Sequence, residues 1–211
     1  MKTIVNLLLV ALLLHVSCNT KNDEPKEGTP VTQVSNRKLF LDVHNLEPGK
    51  VTFDAVAGAH EKDLATQDKY GVNFIKYWVD EEQGKVYCLA EAQDSASVYH
   101  THQEAHGLTP DLVSLVTDGI EANIMNRDNL YVDIHYLGAG KVTAADVAGA
   151  HDKDLATQGK YDVSFVNYWV DEKSGMVVCL AEAPNSQAVI NTHKEAHGLV
   201  PDQVHKVKQG E

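Results

Sequence analysis

The sequence predicts an α+β fold in which two ferredoxin-like (βαββαβ) repeats pack sheet to sheet as an intramolecular pseudo-dimer, an α+β barrel. Three observations lead there. Shifted by 91 positions the chain overlays itself, residues 40–119 agreeing with 131–210 at 48 of 80 positions without a gap. Each copy reads in the order β-α-β-β-α-β. One such sheet hides only one face under its helices, and an open apolar face must be covered. A second copy in the same chain supplies the cover that a single-copy relative would obtain as a homodimer.

The elements follow in order. Leu39 to Asn45 alternates as a strand and runs into a Pro-Gly turn. Val51 to Gln67 carries apolar positions at 53, 56, 57, 60 and 64, a helical stripe, with Thr52 as its N-cap. Val72 to Val79 and Lys85 to Ala92 are β-branched and aromatic, joined by a Glu-Glu-Gln-Gly hairpin. Asp94 or Ser95 caps a second helix that ends at Gly107, and Leu112 to Val116 is a short last strand. The folded units are thus 39–119 and 130–210, with a linker at 120–129.

Ahead of them, Met1-Lys2 is followed by a run from Ile4 to Leu14 that is apolar except for Asn6, and then Val16-Ser17-Cys18. That is the pattern of a secretory signal peptide over residues 1–17, too short to span a bilayer, which needs about 20 residues. Cys18 resembles the lipidated cysteine of a bacterial lipobox, although His15 stands where a lipobox has Leu. Residues 18–38 are polar and turn-rich, a flexible tether. The expectation is an exported protein, lipid-anchored at Cys18 in the bacterial cell envelope, periplasm or outer membrane, with no other membrane contact.

A formal charge of −12 argues against binding a phosphate backbone and for cations or neutral partners. Three cysteines make no disulfide framework, and eleven histidines are the abnormal count. The copies share His44/His135, His60/His151, His102/His193, His106/His197 and Cys88/Cys179. Four of six histidine positions retained is no better than the overall identity, so retention by itself decides nothing.

Geometry decides more. His60, about eight residues into the first helix, lies roughly 12 Å down it at 1.5 Å per residue. Cys88 lies about 13 Å below the hairpin at 3.3 Å per residue. His102 lies about eight residues up the second helix, so all three reach one level. His102 and His106 are four apart on one helix, a spacing that can chelate one ion. Asp42 and His44 share a face of the first strand, read as the face turned to the other repeat together with Glu91. A lone buried histidine or cysteine is more often a core residue than a ligand. The group as a whole favours a divalent metal with imidazole, thiolate and carboxylate ligands. Glu104 and Asp63 read as helix-face charges, or as groups orienting a histidine.

The set Asp42-Val43-His44, Ala59-His60-x-x-Asp63-Leu64, Tyr77-Trp78, Tyr87-Cys88-Leu89, Glu91-Ala92 and His102-x-Glu104-Ala105-His106-Gly107 resembles a small family of ferredoxin-like domains described as nickel-binding. Both repeats carry it, the second with Asp162 in place of Gly71 at a turn. The resemblance implies pairing of two units and binding of Ni²⁺, with Zn, Cu or Co as alternatives. Carried over position by position, the metal candidates are His44, His60, Cys88, His102 and His106, with His135, His151, Cys179, His193 and His197. No catalytic role comes with them. The leading expectation is sequestration or buffering of the ion. The alternative is an α+β-barrel enzyme acting on a small organic substrate between the sheets, lined by Trp78, Tyr87, His44 and Asp42.

Overall fold

The computed structural model describes residues 37–119 and 121–211, so the expected signal peptide, Cys18 and the expected tether up to residue 36 lie outside the described residues. The first copy comprises β1 (Lys38–Asn45), α1 (Phe53–Tyr70), β2 (Asn73–Asp80), β3 (Lys85–Ala92), α2 (Ser95–Ala105), β4 (Leu112–Leu115) and β5 (Thr117–Asp118). The second comprises β6 (Leu130–Tyr136), α3 (Ala144–Thr157) with a 3₁₀ turn over Gln158–Tyr161, β7 (Ser164–Asp171), β8 (Met176–Glu182), α4 (Ser186–Ala196) and β9 (Gln203–Gly210). Among the described residues no helix is long and apolar enough to cross a membrane.

Local chemistry sets the helix ends. Thr52 accepts from Ala55 N at 3.2 Å and Asp94 from Ser97 N at 2.9 Å, each satisfying an N–H that the first turn leaves unpaired. In the second copy Thr143 and Asp146 cap each other reciprocally, and Asn185 caps α4. Gly71 ends α1 at φ 66°, in the left-handed region; its counterpart Asp162 holds φ 55°. Aspartate is among the few side chains that enter that region, so the turn survives the loss of glycine.

The strands form one sheet in the order β4-β1-β3-β2-β9-β6-β8-β7-β5. Its two ends are consecutive in the chain, and the barrel thereby nearly closes. The last strand of each copy does the joining. β9 pairs with β6 and, through Lys208–Gly210, with Tyr77–Val79 of β2. The strand expected at Leu112–Val116 divides at Val116: β4 pairs with β1, whereas β5 crosses to β7. Gly119 N and Ala122 N continue onto Tyr168 O and Val166 O at 2.9 and 2.7 Å, so the first linker residues extend this seam.

Strand alternation sorts the side chains between two layers. Inside the barrel pack Leu41, Trp78, Tyr87, Leu89, Trp169, Leu180 and Val207 among others, with the two indoles 5.0 Å apart. Trp78 donates Nε1–H to Gln209 Oε1 at 2.9 Å across the β2–β9 seam. His205 on the same seam is buried, its Nδ1 2.9 Å from Asp80 Oδ2 and its Nε2 3.0 Å from Gln203 Oε1. Outside, between sheet and helices, lies the layer containing Phe40, Phe74, Tyr77, Cys88, Ala90 and Ala92. The small residues Ala90 and Ala92 let α2 approach the sheet closely.

Candidate metal centre

Asp42 and His44 alternate with Leu41 and Val43, and it is the latter pair that belongs to the barrel interior. The two polar side chains therefore face the helices of their own repeat. This corrects the expectation that they turn to the other repeat and share a face with Glu91. The apolar members of β1 claim the larger buried surface inside the barrel, leaving the acid and imidazole to the helix side. The register of β1 and β3 places Asp42 opposite Cys88.

α2 brings His102 down onto this pair. Its Nε2 stands 3.3 Å from Asp42 Oδ2, and its Nδ1 stands 3.0 Å from Asp63 Oδ1 on α1 and 3.2 Å from His106 Nε2. His44 Nε2 reaches Asp42 Oδ1 at 3.2 Å, and His106 Nε2 reaches Asp63 Oδ2 at 3.2 Å. Two donor groups result, Asp42-His44-Cys88-His102 and Asp63-His102-His106, joined through the opposite nitrogens of His102. Within each group the ligand atoms lie within 4.8 Å of one another.

The second copy repeats the arrangement with Asp133, His135, Cys179 and His193, and with Asp154, His193 and His197. His193 Nδ1 is 3.1 Å from Asp154 and its Nε2 is 3.3 Å from Asp133.

Not every candidate joins these groups. His60 is buried on the same pocket, its ring 4.7 Å from Tyr77 and 5.9 Å from Phe74, and its Nε2 has no hydrogen-bond partner. His151 takes the matching place beside Tyr168 and Phe165. Both stand apart from the four donor groups. Asp63, read as a helix-face charge or an orienting group, is 3% exposed and bonded to two imidazoles. Its spacing from His60, one helical turn, was the available signal. Glu104 does lie on the exposed face, accepting from Lys69 Nζ and from Tyr70 Oη at 2.5 Å. Of the residues named for a cavity between the sheets, Trp78 and Tyr87 are inside the barrel, while His44 and Asp42 are not.

Electrostatics follow from the contacts. Burial alone would lower the His102 pKa, but hydrogen bonds to Asp42 and Asp63 outweigh it and raise it to about 10. Burial would raise Asp42, but hydrogen bonds to His102 and His44 bring it down to about 2. His193 is likewise raised to about 10. Burial, then the charge of Asp42, pushes the Cys88 thiol well above its usual range. Without an ion the centre is thus an imidazolium held between carboxylates beside a protonated thiol.

An ion fits this donor set. Bonds of about 2.0–2.3 Å at angles between 90° and 109° space neighbouring ligand atoms by roughly 2.9–3.7 Å. The carboxylate–imidazole spacings of 3.0 to 3.3 Å fall in that range. The mixture of imidazole, thiol and carboxylate suits a late divalent transition metal better than Mg²⁺ or Ca²⁺, which take oxygen ligands.

Comparisons with known proteins agree with the repeat. The family model described as nickel responsive protein SCO4226-like matches residues 40–116 and again residues 131–207. SCO4226 from Streptomyces coelicolor A3(2), of known crystal structure, is 34% identical over 36% of this chain and 93% of its own, with a TM-score of 0.35. An anthrone oxidase-like protein aligns over 83% of this chain and 91% of its own at 9% identity and a TM-score of 0.44. A chlorite dismutase variant from Candidatus Nitrospira defluvii aligns over 82% and 89% at 8% identity and a TM-score of 0.44. Among curated proteins none matches the chain.

Proposed function

We propose, from the premise that the chain belongs to the nickel responsive SCO4226-like family, that it is a divalent transition-metal binding protein of nickel type that sequesters or buffers the ion in the bacterial cell envelope. The observation that carries this reading is the pair of buried four-donor groups, Asp42-His44-Cys88-His102 and Asp133-His135-Cys179-His193. Each copy would hold one ion there and a second at Asp63-His102-His106 or Asp154-His193-His197. His60 and His151 complete the candidate set from the second row, as partners in the pocket. The first ion would displace one ring proton of His102 and the thiol proton, and a second ion on the opposite nitrogen would displace the remaining ring proton, so affinity rises with pH.

The envelope part of the reading rests on the signal-like segment and Cys18. Cys18→Ala should leave the protein unlipidated and released from the membrane fraction, and unchanged partitioning would remove the anchor.

The central test is metal analysis of protein purified without a histidine tag from cells grown in mixed trace metals. Nickel at one to two ions per repeat supports the reading, and absence of uptake of Ni²⁺, Co²⁺, Zn²⁺ and Cu²⁺ in equilibrium dialysis ends it. Competition in vitro would favour Cu²⁺ whatever the physiological ion, because that is the order of intrinsic affinities.

A further inference from the structure

The donor groups open onto a pocket of about 90 Å³ in the first copy and about 80 Å³ in the second. Its polar part in the first copy is His44, Asp63, Cys88, His102 and His106 of the donor groups, with His60. The rest is apolar, formed in the first copy by Leu46, Val51, Val56, Ala59, Tyr77 and Leu108. Thirteen of the fourteen lining positions carry the same residue in both copies, Ala55 against Asp146 being the exception. The copies as a whole agree at 48 of 80 positions. Burial does not account for the difference. Inside the barrel Leu41, Val43, Ile75 and Tyr87 have drifted to Val132, Ile134, Val166 and Val178.

A bare ion explains retention of the donors and leaves the apolar wall unexplained, since Leu46 or Val56 offers no ligand atom. Packing does not explain it either: a wall kept for packing would close the space, because an empty apolar void forfeits its contacts. One more observation points to an occupant. His60 lines the pocket, is buried, and has an Nε2 with no partner.

Resting on the ion-binding reading above, we infer that the pocket takes a small neutral nitrogen donor of the imidazole class, which joins the bound ion as a ligand from outside the chain. Taking about 30 Å³ for a water and about 150 Å³ for a cavity that holds benzene, the volume holds about three to four heavy atoms, so a five-membered ring fills the pocket with its outer edge at the open mouth. Neutrality follows from the surroundings, since Asp63 lines the pocket, Asp42 lies behind it in the donor group, and the apolar wall would not solvate an anion. A flat ring with a second polar edge meets Tyr77 on one side and supplies His60 Nε2 with its missing partner. His60 is then a positioning residue for this ligand.

The test uses the full protein loaded with Ni²⁺ or Cu²⁺ and freed of excess ion, titrated with imidazole and, separately, with azide. Absorption or electron paramagnetic resonance reads the ion's ligand field, and metal analysis after desalting reads whether the ion stays. Imidazole should shift the spectrum saturably with the ion retained, and azide should bind at least 10-fold more weakly. Ala59→Phe with Ala150→Phe, or the milder Ala59→Leu with Ala150→Leu if the first pair does not fold, should keep the ion stoichiometry and weaken imidazole at least 10-fold. His60→Phe with His151→Phe should weaken imidazole at least 10-fold at each ion that remains bound, the ion content being read by metal analysis of the same sample. Ion uptake without a spectral response, equal response in the filled variants, or azide binding as tightly as imidazole overturns this inference alone. Absence of ion uptake overturns the metal-binding reading and this one with it.

Discussion

Replacing His102 by alanine strikes both donor groups of the first copy at once, because the same imidazole faces Asp42 through Nε2 and Asp63 through Nδ1. Structural metal sites with four protein ligands contribute about 10–16 kcal/mol, or about 2.5–4 kcal/mol per ligand. At about 1.4 kcal/mol per decade, His102→Ala should weaken the first copy by about two to three orders of magnitude. The second copy, with His193 untouched, is an internal control in the same tube. Isothermal titration at micromolar protein should therefore show the high-affinity stoichiometry fall to half, with the remaining sites at wild-type affinity. Asp42 is 0% exposed and loses a charged partner, so His102→Gln, which keeps a hydrogen-bond donor, separates metal loss from misfolding. Unchanged stoichiometry and affinity in both variants would refute the assignment of His102 as the shared ligand.

The metal-free protein should show a defined pH profile. His102 and His193 are raised to about 10 from 6.5, so their contribution to stability is complete below about pH 6.5 and lost as pH rises through 10. Asp42 is lowered to about 2 from 3.8, so its contribution is complete above pH 3.8 and lost as pH falls towards 2. Melting in chelator should peak between these limits, and a Tm flat from pH 6.5 to 10 would contradict the ion pairing. Trp78→Ala should cost about 3–5 kcal/mol in urea unfolding. It should also abolish any near-ultraviolet dichroism couplet from the indoles 5.0 Å apart; loss under 1 kcal/mol would mean the barrel interior repacks freely. His205→Ser, which copies the residue at position 114, should cost about 1–3 kcal/mol by leaving the buried Asp80 without its imidazole, and no loss would show the seam needs no such bond.

The parts of the fold read from sequence are those governed by neighbours in the chain. Thr52 and Asp94 cap helices because an oxygen two or three residues before an unpaired N–H is a local matter, and Gly107 at φ 78° is another. The break at Val116 was not readable, because whether β5 stays beside β1 or crosses to β7 depends on a strand 50 residues away. Alternation showed that Asp42 and His44 share a face but not which one; the apolar bulk of Leu41 and Val43 held that answer. Asp63 was undervalued for a similar reason. A charge on an amphipathic helix looks solvated until the opposing helix, here with His102 and His106, is in place.

Joining the copies in one chain removes a constraint that symmetry imposes on paired identical subunits. A twofold interface is self-complementary, so any substitution appears twice and must suit both of its settings. Here His205 can anchor Asp80 at one seam while Ser114 holds the corresponding position of the first copy, and a buried Tyr87 can stand where the second copy has a buried Val178. Covalent linkage also makes association independent of dilution. Evolution is then free to specialise the two halves separately, and the single unmatched lining residue, Ala55 against Asp146, is where such divergence between otherwise equivalent chambers has begun.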